Sequence, residues 1–319
     1  MKKIFALFAV CSVFAASVAA AADYPRRAVT IHTSRSGSQV DYVARAFAKS
    51  AKNFFPENMI VNSTSGQINA YRETMRANPD GYTLGLVNNT VMINDVVGST
   101  DFDSVEDVEF VGVVGSAVGN WIAIKKELAD KGNIKSLADL IAYTQKHPDD
   151  LIITDRTASN TNTVVRQLAA LGLKATPADA GTATDRLTNF LSGNCDIYVG
   201  SYGLIDQYIK KGDVVCLVAC TTARSEFSPE VPCAAELGYE GLGAPVFYYL
   251  FAPKGLDADV KAKLTKLCQD VAGDPAFAKD LANNTIEPAC KVGEEAHEFF
   301  AAAKAEMIKL GMGEGYKKQ

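Results

Sequence analysis

Two loop arginines are the residues best suited to act on a small molecule, and what they offer is recognition of an anion. Arg35 lies in Ser34-Arg35-Ser36-Gly37-Ser38 and Arg156 in Asp155-Arg156-Thr157-Ala158-Ser159, each beside hydroxyl side chains and just ahead of a helical pattern. A guanidinium takes a carboxylate through two parallel N–H bonds, so two of them facing one another suit a dianion. The plainer alternative is a solvated loop arginine, or for Arg156 an ion pair with Asp155. Catalytic chemistry has less to work with. The 3 histidines are His32 on a strand pattern, His147 beside Pro148 in a loop, and His297 on a late helix. No Gly-x-Ser-x-Gly string accompanies them, so a catalytic triad is not expected and His32 reads as a packed or hydrogen-bonded strand residue. Cys216 and Cys220 are spaced like metal ligands, but they lie on a strand pattern and no histidine completes a zinc site. No metal or cofactor is expected.

The elements that must position these residues alternate along the chain. Strand character at Ala28–Thr33 is followed by helical spacing from Val40 to Ala51, a strand at Met59–Val61, a helix around Ala70–Ala77 and a strand at Tyr82–Val87. Asn78-Pro79-Asp80-Gly81 supplies the punctuation between the last two. A second block runs through a strand at Trp121–Ile124, a helix from Leu137 to Lys146 capped by Ser136, and a strand at Leu151–Thr154. It continues with helices at Asn160–Leu171 and Asp185–Leu191 and strands at Asp196–Val199 and Val214–Cys220. The tail returns with a strand at Val246–Ala252 and helices at Asp257–Asp270, Pro275–Ala282 and Glu294–Leu310. Such alternation implies an α/β protein with mainly parallel sheets covered on both faces. In an open parallel sheet the binding crevice lies beyond the carboxyl ends of the strands, where helix N-termini present free N–H groups. The loops Ser34–Gln39, Ser63–Asn69, Asp155–Thr161 and Gly200–Gly203 meet that description.

Lys2 and Lys3, the apolar run from Ile4 to Ala16 and the small residues Ser17–Ala22 have the order of a cleaved secretory leader over residues 1–22. The alternative is an uncleaved anchor, since the run is nearly long enough to span a bilayer. Cys11 lacks the small residues that precede a lipid-acceptor cysteine. Removing the leader takes away two lysines and no acid, leaving 30 basic and 37 acidic residues and a net charge of −7. That balance argues against nucleic acid as a partner. Roughly 300 residues suit two domains better than one.

Several strings then resemble one family, in that family's order. They are Tyr24-Pro25, Asn78-Pro79-Asp80-Gly81-Tyr82-Thr83-Leu84, Phe102-Asp103-Ser104-Val105-Glu106-Asp107, Ile134-Lys135-Ser136-Leu137-Ala138-Asp139-Leu140, Gly193-x-x-Asp196 and Leu250-Phe251-Ala252-Pro253. Together they resemble the solute-binding receptors of the tripartite tricarboxylate transporters, often called Bug receptors. The resemblance implies a two-lobed fold like that of periplasmic binding proteins, with the ligand in the interlobe cleft and the lobes closing on it. The expected division gives residues 23–120 and 225–319 to lobe 1 and residues 121–224 to lobe 2. It also implies a periplasmic, monomeric receptor that hands a small organic anion, a di- or tricarboxylate or a relative, to membrane transporter subunits. Two other readings stand beside it: a ligand-binding partner of a membrane sensor, and a secreted α/β hydrolase.

In the family the first two loops are Gly-rich and hold a ligand carboxylate largely through backbone groups and water. Here Gly37 and Asp41 are kept, but Ser38 stands where a second Gly is expected and Arg35 replaces a small residue. The second loop keeps Asn62 and Asn69 but reads Ser63-Thr64-Ser65-Gly66-Gln67. Fewer glycines shift recognition from backbone toward hydroxyl, amide and guanidinium groups. The expected ligand contacts are therefore Ser34, Arg35, Ser36, Gly37, Ser38, Asp41, Ser65, Gly66 and Asn69, with Arg156, Thr157, Ser159 and Ser201 in the other lobe. Tyr202 and Phe247 serve as walls beside Tyr248, although core packing is the commoner fate of such aromatics. Beyond the leader stand Cys195, Cys216, Cys220, Cys233, Cys268 and Cys290, an even number that in an exported protein suggests disulfides. Pairing neighbours in chain order joins Cys195 to Cys216, Cys220 to Cys233 and Cys268 to Cys290. Other pairings stay open.

Overall fold

The alternation of periods resolves, in a computed structural model describing residues 24–117, 119–284 and 286–312, into strands and helices close to those the pattern predicts. The expected leader, with Cys11, lies outside the described residues. In chain order the first elements are β1 (Val29–Thr33), α1 (Gln39–Ala51), β2 (Met59–Ser63), α2 (Gln67–Met75), β3 (Thr83–Asn88), α3 (Thr90–Val96) and β4 (Val108–Ala117). Next come β5 (Trp121–Lys125), α4 (Lys126–Gly132), α5 (Leu137–Lys146), β6 (Ile152–Asp155), α6 (Asn160–Ala170), β7 (Thr176–Asp179), α7 (Ala183–Ser192), β8 (Ile197–Gly200), α8 (Tyr202–Lys211) and β9 (Val214–Ala219). The chain closes with β10 (Val246–Pro253), α9 (Ala258–Ala272), α10 (Pro275–Ala282), β11 (Ile286–Val292) and α11 (Gly293–Lys309).

Two units divide the chain. Unit 1 holds the described chain up to Val91, Thr100–Ser116 and Phe247–Ala302; unit 2 holds Met92–Ser99, Ala117–Val246 and the described chain from Ala303. Segments 225–246 and 303–312, expected with the first lobe, cluster with unit 2 for a packing reason. Val231, Ala234, Leu242 and Ala244 fill its core, while Arg166 donates to the Gly311 carbonyl at 2.9 Å.

In unit 1 the sheet order is β11-β4-β10-β3-β1-β2. β1 runs parallel to both β2 and β3, and β10 lies antiparallel to β3 with Tyr248 opposite Asn88 and Phe251 opposite Gly85. Gly85 is required there, because a Cβ on it would sit 2.2 Å from the Phe251 ring. That ring stacks on Tyr71 at 4.4 Å, and Tyr71 stacks in turn on Phe102 at 4.7 Å. Ile31, Phe47, Leu84 and Leu86 complete this fully buried core.

In unit 2 the order is β7-β6-β8-β5-β9, with β6 parallel to β7 and β8 but β5 antiparallel to β8 and β9. One face packs Ile122, Leu140, Val164 and Ile197, and the other Trp121, Phe190, Tyr198 and Ile205. Both sheets are thus mixed rather than mainly parallel. Parallel neighbours need a crossover helix, which α1 and α2 supply in unit 1; β5 and β10 begin where the chain passes from one unit to the other, so no crossover sets their direction.

The expected disulfides are not formed: all six described cysteines are free thiols. Cys195 and Cys216 belong to the β8 and β9 regions, which β5 separates. Two strand spacings amount to about 9.6 Å, beyond the roughly 7 Å Cα separation a disulfide tolerates. Cys233 bridges Ala219 in parallel register, so it shares the face of Ala219 while Cys220 points to the other. Cys268 is fully buried on α9, whereas Cys290 is exposed on β11.

Candidate functional site

At the carboxyl end of β1 the chain turns through Ser34–Ser38 into α1. Gly37 adopts a positive φ of 78°, which frees the loop to present outward, and the Ser38 amide donates to the Arg35 carbonyl at 3.0 Å. Ser38 then caps α1, its Oγ accepting from the Asp41 N–H at 3.2 Å. Arg35 and Ser36 are exposed, and the Arg35 guanidinium has no hydrogen-bond or ion-pair partner among the described residues. Ser34 is buried at the strand end.

Asp41, expected at the ligand, instead holds the loop. Its carboxylate accepts from the Gly37 N–H at 3.0 Å, Arg45 Nε at 3.0 Å, Arg45 Nη2 at 3.1 Å and Ser63 Oγ at 2.6 Å. Burial alone would push its pKa up, but the bonds from Arg45, Ser63 and Gly37 outweigh it and hold the carboxyl below its usual range. One buried carboxylate thereby ties the β1 loop to the β2 loop. In the latter, Asn69 donates its side-chain amide to Ser65 Oγ, and Gly66 caps α2 in extended backbone geometry with open space at its Cβ position. Ser65 and Asn69 are exposed.

The end of β3 joins this edge, although the sequence reading did not single it out. The Asn88 N–H donates to Gln67 Oε1 at 2.7 Å, and the Thr90 N–H to Asn88 Oδ1 at 3.0 Å. Because β10 is antiparallel to β3, its first residues arrive at the same edge. Phe247 exchanges backbone and side-chain bonds with Asn89 and sets its half-buried ring against Phe299 at 4.7 Å. Tyr248 is buried, its hydroxyl donating to Gln39 Oε1 at 2.7 Å. Unit 1 therefore gathers Ser34–Ser38, Ser65, Gly66, Asn69 and Phe247 at the carboxyl edge of β1, β2 and β3.

Unit 2 repeats the plan at β6. Ser159 caps α6, its Oγ accepting from the Asn162 N–H at 3.4 Å. The Thr157 N–H donates to Asp179 Oδ2 at 3.1 Å, joining the ends of β6 and β7. Arg156 is exposed and forms no ion pair with Asp155 among the described residues. Asp155 is buried and accepts from the Arg156 N–H and from Asn162 Nδ2, both at 2.6 Å. Desolvation raises its pKa against those two bonds. Ser201 is exposed at the start of α8. Tyr202, expected as a wall, is 6% exposed, packs on Trp121 at 5.7 Å and donates its hydroxyl to Glu230 at 2.5 Å.

The sequence reading missed Arg186. It stands on α7 behind a capping box of Thr182 and Asp185, is 7% exposed, and donates Nη1 to the Gly181 carbonyl at 3.1 Å. Desolvation lowers its pKa, with Arg156 adding to the effect. A hollow of about 490 Å³ in unit 1, with Tyr24, Pro25, Phe54 and Lys266 among its walls, lies at the opposite, amino end of β1 and away from these loops. His32 has Thr74 Oγ1 at 3.4 Å from its Nδ1, and burial lowers its pKa against the opposing charge of Glu73. Among the described residues no His, Cys, Asp and Glu group is placed to hold a metal ion, and no helix is long and apolar enough to cross a membrane.

Two α/β units with capped helices and polar loops at the carboxyl edges of their strands have the fold of the periplasmic binding proteins. The sequence profile of the tripartite tricarboxylate transporter family receptor (TctC) matches residues 43–310, and the chain belongs to that family. BugT of Bordetella pertussis is 22% identical over 308 residues, covering 92% of this chain and 93% of its own. A TctC solute-binding protein from Polaromonas superposes with a TM-score of 0.78 at 18% identity, over 90% of this chain and 98% of that one. MatC of Rhodopseudomonas palustris, with bound malate, gives 0.62 at 19%, over 92% and 100% of the two chains. A second R. palustris protein, with adipate, gives 0.68 at 19%, over 91% and 98%. At these identities the structural likeness establishes the fold.

Proposed function

We propose that this receptor, in the periplasm after loss of residues 1–22, captures a small di- or tricarboxylate, acts as a monomer and delivers the ligand unchanged to its transporter's membrane subunits. The observation that carries the reading is the β1 loop. There Arg35 stands without an acid partner among the described residues, beside the Ser36 and Ser38 hydroxyls and the amino end of α1, while the Asp41 carboxylate is engaged by Gly37, Arg45 and Ser63. Such a loop offers donors and positive potential to a carboxylate. The loops of unit 2 offer Arg156, Thr157, Ser159 and Ser201 in the same manner. Relatives of the same fold hold malate and adipate, which are dianions of the proposed class. Binding without turnover fits the histidines: His32 is tucked against Thr74, and His147 and His297 lie beside acids at the surface. Mass spectrometry of small molecules retained by protein purified without refolding tests the reading. Di- or tricarboxylates are expected, and a retained cation or uncharged sugar would refute it.

A further inference from the structure

Arg186 presents an unusual arrangement for a structural arginine. Its Nε is the one buried side-chain nitrogen or oxygen left without a hydrogen-bond partner among the described residues. With Nη1 on the Gly181 carbonyl, the edge formed by Nε and Nη2 is left over, and that edge is the one a carboxylate takes bidentately. Asp155 and Asp179 are near enough to act on it electrostatically, yet neither pairs with it. Asp155 is engaged by Asn162 and the Arg156 N–H, and Asp179 by the Thr157 and Gly181 N–H groups. Arg156 adds a second positive charge from the neighbouring loop. Tyr198 stands close by, its hydroxyl on the Ser201 carbonyl at 3.2 Å.

A buried guanidinium whose one filled bond goes to a neutral carbonyl is poorly compensated, because desolvated charges need an opposite charge or a full set of bonds. A residue serving only to prop the Gly181 turn would not need a charge here. We infer that Arg186, with Arg156 beside it, forms an anion subsite of unit 2 that receives a carboxylate of the ligand and makes the receptor selective for ligands with more than one negative charge. The ligand's identity rests on the function proposed above; the anion subsite itself does not.

Titration calorimetry on the full chain with adipate and with its monoanionic counterpart hexanoate tests the assignment, using the wild type, Arg186→Met and Arg186→Lys. The wild type is expected to prefer adipate, and Arg186→Met to lose about a hundredfold in adipate affinity with little change for hexanoate. Arg186→Lys should recover part of the loss, and the melting temperature of the ligand-free Arg186→Met protein should be equal or higher. Wild-type affinity and preference in both variants would overturn the inference. If the wild type takes neither acid, the function reading fails separately, and inorganic sulfate becomes the probe. A saturable sulfate-dependent rise in melting temperature in the wild type but not in Arg186→Met supports the subsite, and equal rises reject it. Should Arg186→Met not fold, the Nε–H resonance of wild-type Arg186, assigned by its loss in Arg186→Lys, decides. It should shift on addition of adipate or sulfate, and an unmoved signal would overturn the proposal.

Discussion

Arg35 and Asp41 share one loop and face opposite tasks. The guanidinium points to solvent without a partner among the described residues, whereas the carboxylate is buried under four hydrogen bonds from Gly37, Arg45 and Ser63. Replacing Arg35 with Ala should weaken dicarboxylate binding by roughly a hundredfold, the usual scale for stranding one charge of a desolvated pair. Lys at this position should restore only part, and the melting temperature should hardly move. Asp41→Asn should act on folding instead, at about 2 kcal/mol for bonds to a buried charge, with the half-exposed Arg45 contributing the smaller share. The sign follows from the depressed pKa: the stabilisation is present above the unfolded carboxyl value of about 3.9 and is lost as pH falls through the lower folded value. Denaturation of both proteins from pH 7 downward should show the difference at pH 7 and its progressive loss as the pH falls below the unfolded carboxyl value of about 3.9. Residue types marked the loop in the sequence, but not the direction of each side chain. Asp41 reads as a ligand contact in the sequence, which does not show that Arg45, one helical turn on, also bonds to it. Arg186 carried no local signal at all, since only the fold buries it.

At the scale of elements the pattern was most legible where capping chemistry marked a boundary. Ser136 caps α5 where the spacing placed it, and Ser38 and Ser159, expected only as ligand contacts, cap α1 and α6. α4 and α3 are seven residues each and escaped a reading that depends on two or more turns of periodicity. β7, Thr-Pro-Ala-Asp with an exposed pattern, has almost no strand signature and exists because β6 pairs with it. Strand direction was illegible for a related reason: β5 and β10 look like any buried strand, and only their partners reveal them as antiparallel. Sheet order likewise separated Cys195 from Cys216, and the register of the Ala219–Cys233 bridge turned Cys220 away from Cys233. Gly85 is the sharpest element-level test. In Gly85→Ala the added methyl meets the Phe251 ring between Tyr71 and β3, so a loss of about 1–3 kcal/mol and a melting point several degrees lower are expected. An unchanged melting point would mean that the ring can move aside.

For the whole molecule, family strings spread from Tyr24 to Pro253 were enough to indicate the two-unit α/β architecture and the receptor family, both of which the profile match and the superpositions bear out. The points where the chain changes unit were not readable, because segments such as 225–246 are irregular and declare their unit only by the core they fill. The net charge of the chain, −5 overall, is opposite to what an anion-binding surface would suggest, so the proposed carboxylate capture relies on local donors at the strand ends rather than on a global field. Titration calorimetry of the purified chain with malate and adipate, followed by recovery of the ligand and its analysis by NMR, tests the central claim most directly. Saturable binding at a single site with the ligand returned unchanged is the predicted result; no heat at millimolar concentrations of either acid, or conversion of the ligand to product, would contradict it.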